Sequence, residues 1–419
     1  MSSLLPSRFH AVQEASAGPA LVANVRVPRP PATSLRMVVI IPAKNEAENL
    51  PATLAALVNQ TTLAGQPLNP AEYEILVLAN NCQDQTATVA RAFAACHPTV
   101  AIHVLEVELS RSEAHIGKAR RLLMDEACRR LELVNNADSF IASTDADTLV
   151  SPTWLAATQA ALARGADAVG GRILMRTPAY PATGSVRRYQ LQDATYQLLR
   201  ARLETVLDPT DSDPWPRHHQ HFGASLALTP AAYRRVGGLP EVPYLEDEAL
   251  YQALLRHDLQ LRHCPQVRVY TSDRQVGRVA VGLSWQLRQW AQLEQSQQAP
   301  LVESPARLAV EWKARCALRA LWQGKPARTV AETLPALATA LGLPLKTLTK
   351  QLHGCGTFGQ LWSWVRAYWA KHGRWEAQWP PVALQDAIAH LRRELVIHDL
   401  PKKHNASHEA PLDWPRARA

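Results

Sequence analysis

Two carboxylates leave the apolar run Ser139-Phe140-Ile141-Ala142-Ser143-Thr144 together, as Asp145-Ala146-Asp147. Hard oxygen donors paired at the end of a buried strand make an anchor for Mn2+ or Mg2+, an ion of the kind shared with substrate phosphates. An isolated Asp-x-Asp is more often a solvated turn, so its company decides. Upstream stands Met37-Val-Val-Ile-Ile-Pro-Ala-Lys-Asn-Glu46, and downstream Gly237-Gly-Leu-Pro-Glu-Val-Pro-Tyr-Leu-Glu-Asp-Glu-Ala-Leu250. Glu246 and Asp247 head a helical pattern running to Leu259. A carboxylate there either complements the helix dipole or waits as a base for a hydroxyl.

The elements that must deliver these residues alternate. Val38–Ile41 and Ile75–Leu78 are short aliphatic runs, each followed by polar residues and then a helical pattern, Glu46–Gln60 and Gln85–Cys96. A third run, Ala101–Leu105, precedes a helix over Gly117–Leu131, and a fourth delivers the aspartates. That βαβα text predicts an α/β protein with a doubly wound, mostly parallel sheet and helices on both faces. In such sheets the ligand crevice lies beyond the carboxyl ends of the strands, where Pro42–Glu46, Asn80–Asp84 and Asp145–Asp147 all fall.

In order and spacing these motifs resemble the family 2 glycosyltransferases over residues 37 to 290, which implies a GT-A fold and non-processive, inverting transfer of one sugar from a nucleotide sugar. On that resemblance the loop Pro42-Ala43-Lys44-Asn45-Glu46 holds the nucleotide. The turn from Asn80 to Asp84 reads the base, and Lys118 or Arg121 of Gly117-Lys-Ala-Arg-Arg121 faces the diphosphate. Asp145 contacts ribose or metal-bound water, and Asp147 ligates Mn2+ or Mg2+. Asp247 is the expected base, with Glu246 next in line. Asn80 stands where the family has an Asp, and an amide donates as well as accepts, so a UDP-sugar is favoured with a GDP-sugar kept open. Asn45, Glu46 or Asp84 would equally serve as helix caps.

The stretch Asp208–Ser225 runs from acidic to His-rich to a Gly-Ala-Ser turn. It reads as a mobile acceptor-binding loop using Arg217, His218, His219, His221, Gly223, Ala224 and Ser225. His263 reads as a strand-edge residue rather than a third metal ligand, and none is evident in Val269–Asp273. Trp285-Gln-Leu-Arg-Gln-Trp290 is similar to a signature of processive synthases but lacks its Arg. The expected division is an arm (1–36), a nucleotide-sugar half (37–170), an acceptor and catalytic half (171–290), a helical appendage with seven Trp (291–400) and a disordered tail (401–419). Two other readings stay in play: a nucleotidyltransferase, against which the loop after the first strand lacks glycines, and a non-catalytic sugar-nucleotide-binding scaffold.

Composition narrows the setting. The chain has 419 residues, 47% of them hydrophobic, enough for one large core and a smaller one. Six scattered cysteines without a Cys-x-x-Cys pair fit free thiols in a reducing, cytoplasmic compartment. No apolar stretch is long enough to span a bilayer. The net charge of +8 suits anionic partners, with nucleic acid disfavoured for want of interleaved aromatics. The acceptor would be a small molecule or lipid-linked, with peripheral membrane contact left open.

Overall fold

Alternate residues of the first strand face opposite layers, and this sets the architecture. The computed structural model describes residues 25–176, 184–271 and 283–399. In β1 (Met37–Ala43), Met37, Val39 and Ile41 enter one core, with Leu50, Leu54 and Leu57 of α1 (Leu50–Val58) and with Trp154 and Leu155 of α4 (Trp154–Leu162). Val38 and Ile40 enter the other, against Leu122 and Leu123 of α3 (Ile116–Val134) and Leu250 and Leu254 of α7 (Glu246–Arg256). A strand buried on both faces must be apolar throughout, which is why β1 and β2 (Tyr73–Asn80) read as continuous runs rather than alternations. Each fully buried aliphatic side chain contributes on the order of 2 kcal/mol.

With β3 (Ala101–Val107), β4 (Phe140–Ser143), β5 (Leu149–Val150), β6 (Ala168–Met175), β7 (Leu226–Leu228) and β8 (Leu261–Thr271), the eight-stranded sheet has the order β3-β2-β1-β4-β7-β6-β8-β5. The first four are parallel; β7 runs antiparallel to both β4 and β6, β6 and β8 are parallel, and β5 closes the edge antiparallel to β8. Parallel pairing is therefore confined to two blocks, and the doubly wound description fits the first of them.

Helix α1 begins later than its pattern predicts. Asn45 adopts a left-handed backbone (φ 54°) and residues 44–49 form turns, so the N-cap is Asn49, followed by Pro51. Helix α2 (Thr86–Cys96) and α3 lie where expected. Residues 1–24 of the expected arm and the tail from residue 400 lie outside the described residues. The arm's last part is anchored: Val27 and Leu35 are buried, and Val27 N donates to Glu126 Oε1 at 3.0 Å.

Beyond α5 (Gly184–Leu207), α6 (Pro230–Arg235) and α8 (Leu283–Gln295), the chain turns helical: α9 (Pro305–Trp322), α10 (Leu334–Ala340), α11 (Leu345–Gly354), α12 (Phe358–His372), α13 (Arg374–Gln378) and α14 (Leu384–Asp399). A short β9 (Leu301–Val302) pairs with β10 (Val382–Ala383). Trp362, Trp369 and Trp375 are buried in the core of this region, the last two stacked at 4.2 Å. Tyr196, Leu203 and Leu207 of α5 share a further core with Trp312 and with Leu391 and Leu395 of α14. This region is also fastened to α7. Asp258, left-handed at φ 54°, accepts from Phe358 N (2.8 Å) and Gly359 N (2.7 Å), while Arg366 donates to Gln252.

Candidate active site

β2, β1 and β4 are neighbours and parallel, so the loops after them open on one side. These loops are cross-linked. Asn45 Oδ1 accepts from Gln83 N at 2.7 Å, and Asp84 accepts from Ala47 N and Thr86 N at 3.0 Å each. Asp84 and Asn45 thus fix the two loops to each other, and Asp84 also steadies the start of α2. Glu46 is buried and accepts from Asn49. Pro42 and Ala43 end β1, and Asn80 is buried at the end of β2. Thr53 of α1 donates to Ala146 O at 2.8 Å, pinning the turn that carries Asp145 and Asp147.

The residue that assembles the site is Arg120, which the sequence reading passed over in favour of its neighbours. Its guanidinium is buried, donating to Asp145 Oδ1 at 2.8 Å and to Glu246 Oε1. It needs the space over Gly223, where an added Cβ would lie 2.4 Å from the Arg120 guanidinium carbon. Lys118 and Arg121 do different work. Lys118 is buried against Glu241 (2.9 Å), and Arg121 binds Asp125 and Leu239 O beneath Gly238. The first turn of α3 is covered by Val242, whose carbonyl would meet a Cβ on Gly117 at 2.1 Å.

Asp247 is the second residue of α7. Its two oxygens accept from Gly223 N and Glu248 N, both at 2.8 Å, which fixes the carboxylate plane and leaves lone pairs for a further donor. Leu245, the residue before Glu246, is left-handed (φ 59°), a conformation costly for a side chain of that size. Ser143 Oγ donates to Gly223 O at 2.9 Å, so the strand that delivers Asp145 also holds the turn that orients Asp247.

Charge is concentrated here. Asp145, low in the cleft though its side chain keeps 40% of its exposure, has its carboxyl pushed up to about 6, first by loss of hydration and then by the charges of Asp147, Asp247 and Glu46; Arg120 pulls the other way. Three further carboxylates near Asp145, beside the buried Arg120 guanidinium and with the hard oxygens of Asp147 close by in the chain, suit a divalent cation. Among the described residues no three His, Cys, Asp or Glu side chains gather as a metal site. The Ser272–Asp273 end of the span searched for a third ligand lies outside them.

The expected acceptor loop is cross-linked rather than loose. Arg217 ties Glu204 to Asp213, and Arg262 reaches Asp213, Pro214 O and Pro216 O. Arg217 is therefore engaged within the fold. His218 is buried, its Nδ1 accepting from Gln220 N, and Ser225 Oγ accepts from Trp154 at 3.0 Å. His263 pairs with Gly170 of β6 on one side of β8, and β5 reaches β8 only at Val269 and Tyr270, so His263 stands at a strand edge; it is buried, its backbone N donating to Asp213 Oδ1 at 2.9 Å and its Nδ1 lying 2.7 Å from Asp213 Oδ2. His219 is half-buried near Phe222, and Ala224 is buried beside Gly223. His221 stacks on Tyr251 and binds Glu248 at 2.9 Å. Burial works to raise the Glu248 carboxyl, but His221, Gln252 and Arg366 outweigh it and hold it low. Of the seven acceptor residues, Gly223 touches Asp247 directly and His221 is one residue removed, through Glu248.

Residues 38–216 match the family described as Glycosyl transferase family 2. The chain is 33% identical over 130 residues to a dolichyl-phosphate beta-glucosyltransferase of Drosophila melanogaster, covering 29% of this chain and 38% of that protein. It is 29% identical over 141 residues to glycosyltransferase AglE of Haloferax volcanii, covering 33% and 40%. The matched part thus spans about two fifths of either relative. A solved mannosyltransferase, PcManGT of Pyrobaculum calidifontis in complex with GDP-Man and Mn2+, aligns over 90% of each chain at 16% identity and a TM-score of 0.40. The family match ends before Gly223, Glu246 and Asp247; Glu246 joins the matched part through Arg120, and Asp247 through Gly223, whose carbonyl accepts from Ser143.

Proposed function

Because residues 38–216 of this chain belong to glycosyltransferase family 2, we propose that it moves one sugar from a nucleoside diphosphate sugar to an acceptor hydroxyl, with inversion and with Mn2+ or Mg2+ as cofactor. The observation that carries this reading is Arg120 bridging Asp145 and Glu246 while Gly223 N holds the adjacent Asp247. Donor-side and acceptor-side acids are thereby held one side chain apart.

In this reading the linked loops bearing Asn45, Glu46, Asn80 and Asp84 frame the nucleotide, UDP favoured over GDP. A divalent ion held by Asp147 with Asp145 would neutralise the charge that develops on the departing diphosphate. Asp247 accepts the acceptor's proton as its oxygen attacks the anomeric carbon from the face opposite the leaving group. Gly223 N and Glu248 N keep that carboxylate from rotating. The acceptor is a small molecule or a lipid-linked hydroxyl or phosphate, the second supported by the similarity to a dolichyl-phosphate beta-glucosyltransferase.

The test is thermal shift and slow donor hydrolysis with a panel of UDP- and GDP-sugars, with and without Mn2+. One donor class should raise the melting temperature only when the metal is present. Asp147→Asn should abolish that metal response with its own fold unchanged. Metal-stimulated donor binding that survives in this variant removes Asp147 as the ligand. No shift and no hydrolysis with any sugar nucleotide removes the reading itself.

A further inference from the structure

Helix α5 carries apolar and basic residues in one stripe, all exposed except the half-buried Arg202. Arg187, Leu191, Leu198 and Arg202 follow at intervals of four, seven and four, which keeps all four within roughly 60° of one helix face. Leu191 is 59% and Leu198 48% exposed. At the stripe's end the Arg202 guanidinium lies 5.5 Å from the ring of Trp215, itself part-exposed in the stretch that leads to His221 and Gly223.

Helix α14 packs beside α5 and repeats the pattern. Gln385, Ala389, Arg392 and Val396 share one face by the same spacing, and Val396 and Ile397 are exposed at 62% and 61%. A groove of about 520 Å3 runs between the two helices, with Arg187 and Arg188 on one wall and Arg392 on the other; among the described residues no acidic side chain lines it. None of the described helices is long and apolar enough to cross a membrane.

We propose that the α5–α14 face docks this protein on an anionic phospholipid surface. The arginines meet lipid phosphates, and Leu191, Leu198 and Val396 enter the boundary between headgroups and acyl chains. The observations favour a lipid surface over a nucleic acid because the cations are interleaved with aliphatic tips and, among the described residues, no aromatic lines the groove for a base to stack on. They favour it over a free anion because five exposed aliphatic side chains on this helix pair, Val206 among them, would gain nothing from a soluble phosphate.

The test uses the full chain and sedimentation with phosphatidylcholine vesicles, with and without roughly 30% phosphatidylglycerol. The protein should sediment with the anionic vesicles alone and be released by salt. Arg187→Gln/Arg188→Gln/Arg392→Gln should bind about a hundredfold more weakly, from about fivefold per arginine. Leu191→Ser/Leu198→Ser should also weaken binding, at unchanged charge. Both variants should keep the wild-type melting temperature and donor hydrolysis, which separates a docking defect from a folding or catalytic one. The proposal is overturned if the wild type stays in solution with anionic vesicles, or if the arginine variant sediments as well as it does. It is equally overturned if light scattering shows a wild-type dimer that the leucine variant dissociates, with no vesicle binding, since the face would then belong to a second copy.

Discussion

Arg120 donates to two carboxylates, Asp145 and Glu246. Removing one partner of a buried ion pair leaves the other charged and dry, which typically costs about 3–5 kcal/mol. Arg120→Met should therefore lower the urea midpoint sharply, and Arg120→Met/Glu246→Gln should recover most of that loss without recovering donor turnover. If the double variant is no more stable than the single one, the pair is not what holds the site. Asp247→Asn should fold and bind donor as the wild type does, yet transfer at least about a hundredfold more slowly, as expected when a positioned base is lost. Turnover near wild type in that variant would move the base to Glu246. The acids at 145, 147, 246 and 247 were legible because carboxylates at strand and helix ends stand out in an apolar text. Arg120 was not: beside Lys118 and Arg121 it is one of three cations in four residues. The available signal was its position three and seven residues before Leu123 and Ala127, both fully buried, whereas Arg121 precedes the part-exposed Asp125 by one turn.

Among the elements, α7 and α12 are in unusually close contact. A Cβ on Gly359 would lie 1.8 Å from Leu255 O, so Gly359→Ala forces the helices apart and should cost about 1–3 kcal/mol, read as a fall in melting temperature. Asp258→Ala removes two acceptors at the start of α12 and should cost about 1–2 kcal/mol. If both variants melt as the wild type does, α12 is not fastened to α7. The first four strands and their helices could be read from the sequence because they are aliphatic runs in a regular alternation. The second half of the sheet could not: β7 has three residues and β5 two, too short for any periodicity, and their pairing is decided by contacts distant in the chain. The length of α1 was overestimated because a helical pattern of side chains continues through residues 44–49, where the left-handed Asn45 turns the backbone away.

For the molecule as a whole, buried histidines make stability depend on acidity. Burial pushes His218 well below the ordinary histidine value, with His263 adding to it, and burial lowers His263 although Asp213 opposes it. A ring whose value is lowered by folding takes up its proton at lower pH in the fold than in the unfolded chain, which does so below about pH 6.5, so stability is full above that pH and declines as pH falls towards the folded-state value, by up to about 1.4 kcal/mol per pH unit for each group. His218→Gln should melt with a shallower dependence between pH 6.5 and 5.5; an equal slope in both proteins would assign the effect elsewhere. The path of the chain after β4 has a consequence of its own. It leaves the middle of the sheet, turns through Asp145 and Asp147, and reappears as β5 at the far edge, where Leu149 pairs with Tyr270 and Ser151 N donates to Arg268 O. That turn is a strap across three intervening strands, so whatever stiffens it is felt at the margin. Amide hydrogen exchange at Val150, Val269 and Tyr270 should therefore slow when donor occupies the centre, making the sheet's outermost seam a remote reporter of a ligand it never touches.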